Sequence, residues 1–226
     1  VIFQDIESFE DAKNLAEKIF PELEKENDND LWMRYYGTLG QLNYHASIAE
    51  KQNFSAQKSK QFLQKAVDYA RKLQDPTNIA QDLNYLFLWQ GLFNFGSEEY
   101  YEQKENTKRF LITQFENENQ MINNRTFFEF YENIALYRNF LTNEKQPHCA
   151  RNFNVLSANA PSWMRALTNK YIAAVLAANN EIERANKKFT NAENILQNET
   201  SKIFQLFRIT ILCQAYKSFK DAGKTE

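Results

Sequence analysis

Glycine and proline are scarce in this chain: 5 Gly and 4 Pro in 226 residues. Turns draw on these two residues, so an all-β fold of this length, which needs a turn every few residues, is excluded. An α/β fold would show short Val/Ile runs bounded by glycine, and none is present. What remains is a small number of long elements, which means helices. With 43% hydrophobic and 15% aromatic residues, the chain has ample material for a core and is not disordered.

Apolar residues recur at three- and four-residue spacing along most of the chain. A first helix is expected after Ser8, with Phe9, Ala12, Leu15, Ala16 and Ile19 as its stripe, kinked or ended by Pro21. The next is expected from about Leu31 to Lys51, carrying Trp32, Tyr35, Tyr36, Leu39 and Leu42. Gly37 and Gly40 fall inside it. Glycine costs about 1 kcal/mol in a helix interior, so both positions predict close approach of a neighbouring backbone. A partner helix follows from about Ser55 to Leu73, stopped by Asp75-Pro76. Three further pairs are expected: Thr77–Phe95 with Ser97–Asn119, joined at Gly96; Arg125–Leu141 with Pro147–Ala158; and Ser162–Ala178 with Glu181–Gln197. A last helix, Ser201–Ala222, has no partner. The first helix of each pair is apolar nearly all round, as Phe127, Phe128, Phe130, Tyr131, Ile134, Leu136 and Phe140 illustrate. That distribution belongs to a helix packed on more than one side.

Helix pairs repeating along a chain are the mark of a solenoid. The later segment carries Ala185, Phe189 and Ala192 on a second helix, opposite Ile172, Ala173 and Leu176 on a first. This small-aromatic-small pattern resembles the packing signature of tetratricopeptide repeats, as does the earlier run Lys65–Leu73 followed by Asp75-Pro76 to Tyr101. Asn169 stands where that family prefers an aromatic, and no proline follows the helix after Ala192. An irregular helical bundle would satisfy the same periodicity. The resemblance implies an all-α fold, with antiparallel helix hairpins stacked as a right-handed superhelix in a single domain spanning 1–226. It also implies a protein- or peptide-binding module whose concave face is built from the first helices. Here that face would draw on Arg34, Asn43, Asn84, Gln90, Asn94, Tyr137, Arg138 and Lys170. Amides can donate to and accept from any peptide backbone, and Arg or Lys can clamp a carboxylate. The same architecture also serves as the sensing half of a transcriptional or signalling regulator whose effector domain lies elsewhere.

Catalytic and metal signatures are absent. Adjacent residues such as His148 and Cys149 point about 100° apart on a helix and do not make a nucleophile pair. Cys-x2-Cys, His-Glu-x2-His and glycine-rich phosphate motifs do not occur. The paired acids Glu98-Glu99 and Glu116-x-Glu118 are explained by helix starts and solvated faces. The expectation is therefore a non-enzyme without a cofactor. The formal net charge of −2 disfavours direct nucleic-acid binding. Two cysteines, Cys149 and Cys213, make no disulfide framework and suit a reducing, cytoplasmic setting. No apolar run is long enough to cross a bilayer. The expected partner is a protein or peptide, with self-association also open. The chain begins at Val1 rather than Met and is read as a fragment of a longer protein.

Overall fold

The computed structural model describes residues 8–114, 118–142, 150–198, 200 and 202–223. Among these it has nine α-helices and no strand: α1 (Ser8–Leu23), α2 (Asn29–Ile48), α3 (Ala56–Leu73), α4 (Pro76–Phe93), α5 (Glu98–Gln114), α6 (Glu118–Thr142), α7 (Ser162–Ala178), α8 (Ile182–Leu196) and α9 (Lys202–Asp221). The protein is all-α; α1 to α5 pack mainly on their neighbours in sequence, and α7, α8 and α9 pack on one another. The chain divides into two compact units, Val1–Asn124 and Arg125–Glu226.

The helix ends in the first unit follow capping chemistry. Asp28 accepts from the amides of Asp30 and Leu31 to start α2, and Ser55 accepts from Lys58 to start α3. Gln74 closes α3 in the left-handed region, at φ +55°. Asp75 then caps α4 through the Thr77 amide at 2.8 Å, and Pro76 occupies the first turn, where no amide hydrogen is needed. Asp75-Pro76 is thus both the stop of one helix and the start of the next. Pro21 does not end α1, which runs on to Leu23.

α4 is the enclosed helix of this unit. Its buried residues, among them Ile79, Leu83, Phe87, Leu88 and Trp89, lie on all its sides. The Trp89 indole donates to the Ala56 carbonyl of α3 at 2.8 Å, and Phe87 stacks on Tyr100 of α5 at 5.6 Å. Between α2 and α3, Tyr36 stacks on Phe62 and on Tyr69 at 6.0 and 5.8 Å.

In the second unit α7 is enclosed in the same way, with Met164, Ala166, Leu167, Ile172, Val175 and Leu176 buried on different faces. It packs on α8 and α9. Ala185 and Ala192 are fully buried and Phe189 nearly so, and Phe189 meets Phe219 of α9 edge-on at 5.7 Å. Asn180, at φ +62°, turns the chain from α7 into α8, a conformation asparagine tolerates.

Two expected boundaries move. α6 begins at Glu118 rather than Arg125. The helix expected over Pro147–Ala158 is absent from its described part: Ala150–Asn152 is a single 3₁₀ turn and the chain through Ser157 is irregular. The physical reason is a buried asparagine. Asn133 of α6 is fully buried; its Oδ1 accepts from the Asn154 amide at 2.8 Å, and its Nδ2 donates to the Asn154 carbonyl at 3.0 Å. These bonds take the backbone groups that a helix would use.

The two glycines of α2 differ. A Cβ on Gly40 would lie 2.6 Å from Cγ and Cδ2 of buried Leu63 and 3.2 Å from its amide nitrogen. Ser59 also donates to the Gly40 carbonyl at 2.7 Å, locking that crossing. A Cβ on Gly37 would meet Asp82 Oδ1 at 3.7 Å and Ala66 Cβ at 3.9 Å, both ordinary contacts. Gly40→Ala is therefore expected to destabilise by about 1–3 kcal/mol, whereas Gly37→Ala gains about 0.5–1 kcal/mol of helix propensity. Denaturant melts of the two variants check this; equal effects of one sign would remove the close-packing account of Gly40.

Candidate functional site

Of the eight residues expected on a binding face, Arg34, Asn43, Asn84, Gln90 and Asn94 lie in the first unit. Asn43, Asn84 and Gln90 are inside the fold, at 7%, 2% and 5% exposure. Asn43 donates to the Leu39 carbonyl at 2.9 Å and accepts from the Ser55 amide at 3.4 Å. Asn84 donates to the Asn124 carbonyl at 3.3 Å. Gln90 accepts from Asn94, the residue closing α4, at 3.0 Å. A helix enclosed by its neighbours has no free face, so its amides serve the fold. Arg34 is exposed and paired with Asp30 at 2.7 Å.

In the second unit the structure brings two of the remaining three together. Tyr137 stacks on Tyr171 at 4.4 Å and donates to Gln214 of α9 at 3.0 Å. Half-buried Lys170 sits 5.0 Å from the Tyr171 ring and 5.8 Å from that of Tyr137. Burial pushes the Lys170 ammonium down to about 8 and the Tyr137 hydroxyl up to about 12. The ring faces hold Lys170 as a cation at neutral pH. Arg138 is exposed. Pro147, His148, Cys149 and Glu116 lie outside the described residues. His45 is half-buried against Tyr44, ring centroids 4.0 Å apart, and burial pushes its pKa down to about 4. Among the described residues no cluster of three His, Cys, Asp or Glu could hold a metal. Among the described residues no helix is long and apolar enough to cross a membrane.

A larger concavity lies elsewhere in the second unit. A groove of about 990 Å³ runs between α8 and the irregular segment that Asn133 holds. Arg184, Lys187, Lys188, Asn191 and Asn194 of α8 form one wall. They occupy the helix face opposite Ala185, Phe189 and Ala192, which are buried. Ile172 and Leu176 of α7 form the floor, and Arg151, Phe153 and Val155 the far wall. Val155 is 80% exposed, an unusual position for a large apolar side chain beside a cavity. Among the described residues no carboxylate lines the groove. Glu181 outside it pairs with Arg184; among the described residues no ion pair engages Arg151, Lys187 or Lys188. The α8 wall was visible in the sequence as a polar stripe at three- and four-residue spacing. The far wall was not, because it belongs to the segment expected to be helical.

A smaller cavity of about 330 Å³ in the first unit is floored by Tyr35, Tyr36 and Phe62. Two of its three lysines lie over rings: Lys65 is 4.7 Å from the Tyr36 ring and Lys13 5.8 Å from that of Phe54, while Lys58 also lines the cavity.

In comparisons with known proteins, no family model matches the chain, and no curated protein or solved structure matches at the significance required. The functional reading therefore rests on residues and geometry.

Two tests follow from the buried polar groups. Asn133→Leu leaves the Asn154 amide and carbonyl without their partner and should cost about 2–4 kcal/mol. Thr168→Val removes only a 3.3 Å contact to Asn133 and should cost less than about 1 kcal/mol. Hydrogen exchange at Asn154 rises in the first variant only; equal protection in both would break the link between Asn133 and the groove wall. In the first unit, Asp82 is 6% exposed with Oδ2 unpartnered. Burial pushes its pKa from 3.8 up to about 7. The folded state therefore keeps a proton that the unfolded chain gives up near pH 4, and stability falls as pH rises from there through 7. Asp82→Asn should stabilise by on the order of 2–4 kcal/mol at pH ~8 and by less than ~0.5 kcal/mol at pH ~4. Thermal melts at both pH values decide it, and a gain independent of pH contradicts the burial account.

Proposed function

We propose that this protein holds a segment of a partner protein or a peptide and performs no chemistry on it. The observation that carries the reading is the groove of the second unit, with basic and amide side chains on α8 facing an apolar floor. Apolar surface supplies affinity, and a few polar groups at the rim set orientation. Asn191 and Asn194 can each donate to and accept from a peptide backbone. A shallow groove of this kind supports micromolar binding without a deep pocket.

The tetratricopeptide-like reading belongs to the same proposal. Its support is that consecutive helices pack on one another in each unit and that Ala185, Phe189 and Ala192 occupy interior positions between α8 and its neighbours. The groove is not drawn from first helices alone, since its polar wall is the second helix of its pair.

A photo-crosslinking residue at Val155 tests the proposal, because that side chain is exposed and its replacement leaves the fold unchanged. Exposed Lys108 of α5 serves as the control position. In extract from the native source, a discrete peptide adduct is expected at position 155 and not at 108. Adduct patterns that are the same at both positions count against the groove.

A further inference from the structure

We infer that the occupant of the groove is an acidic segment bound in extended form, with apolar side chains between its carboxylates. This rests on the peptide-holding reading above and names the chemistry of the partner. Four cations face the groove from both of its walls: Arg184, Lys187 and Lys188 on α8, and Arg151 opposite. Among the described residues only Arg184 of these four is ion-paired, to Glu181. An empty groove leaves these charges repelling one another, and carboxylates entering it relieve that repulsion. The floor of Ile172 and Leu176, with Phe153 and exposed Val155 beside it, asks for apolar side chains between the charged ones.

Length and side-chain alternation describe the segment. From Arg184 to Asn194 the wall rises by ten helical positions, about 15 Å. About five extended residues cover that distance at ~3.3 Å each. Alternation in an extended chain places carboxylates toward the cations and apolar side chains toward the floor. A nucleic acid would also satisfy the cations, but single strands are held by stacking on exposed rings. Among the described residues the one ring in the groove, Phe153, is 7% exposed.

The experiment is fluorescence anisotropy with three labelled peptides of about eight residues, Leu alternating with Glu, Gln or Lys. The Glu peptide should bind about tenfold or more tighter than the Gln peptide, and the Lys peptide most weakly. Raising salt from about 50 to about 250 mM should weaken the Glu peptide selectively. Lys187→Glu with Lys188→Glu should raise its Kd about tenfold or more and reverse the order of the Glu and Lys peptides. If that double variant does not melt cooperatively, Arg151→Glu on the exposed 3₁₀ turn replaces it. Equal binding of the Glu and Gln peptides overturns the acidic assignment while leaving a peptide groove. No binding of any of the three at about 1 mM overturns both. An unlabelled single-stranded oligonucleotide that displaces the Glu peptide at a lower concentration than the unlabelled peptide assigns the groove to nucleic acid instead.

Discussion

A helix enclosed by other helices has no solvent to hydrate its polar groups. Every polar side chain on it must find a partner inside the protein or bear the cost of burial. α4 and α7 both live under this constraint. It explains why Asn84 and Gln90 of α4, together with Asn43 on the neighbouring α2, turn inward to backbone carbonyls, an amide and each other's neighbours. It also explains why the α7 cation Lys170 lies over tyrosine rings rather than against a carboxylate. Asp82 and Asn84 each keep one unpartnered side-chain oxygen, and the Asp82 carboxyl responds by retaining its proton.

The same constraint shapes the groove. Asn133 is buried on α6 and satisfies both ends of its amide on the backbone of Asn154. Asn154 in turn donates to the Glu129 carbonyl and to Glu132. One polar residue in the interior thereby draws a stretch of chain away from helical pairing and sets it down as a wall. Phe153 and Leu156 of that stretch are buried, while Val155 between them is left exposed. The groove is therefore a by-product of polar satisfaction in the core as much as of helix packing.

Charge separates the two concavities. In the first unit, Glu17 shares the lining with three lysines, two of which lie over aromatic rings. In the second, cations line both walls, with no acid among the described lining residues. A chain with a net charge of −2 thus carries a local surface of opposite sign, which bulk composition does not reveal.

Much of the architecture was legible in the sequence. Scarce glycine and proline with 3.6-residue periodicity were enough for an all-α fold, and the residue ranges of α3, α4, α7 and α8 follow from caps, prolines and stripes that act within a few residues. Ala185, Phe189 and Ala192 could likewise be placed inside, because their spacing marks one face. Local chemistry did not say which side of an apolar helix is covered. Asn43, Asn84 and Gln90 therefore read as surface residues, although they are buried. Nor could it show that Asn133 meets Asn154, a contact between residues 21 apart in the chain that competes with helix formation at the second. The sequence by itself determined where helices form, since propensity, capping and periodicity are short-range. Only tertiary structure decided which polar residues face water and where a groove opens, because burial and hydrogen bonding at a distance depend on what packs against each face.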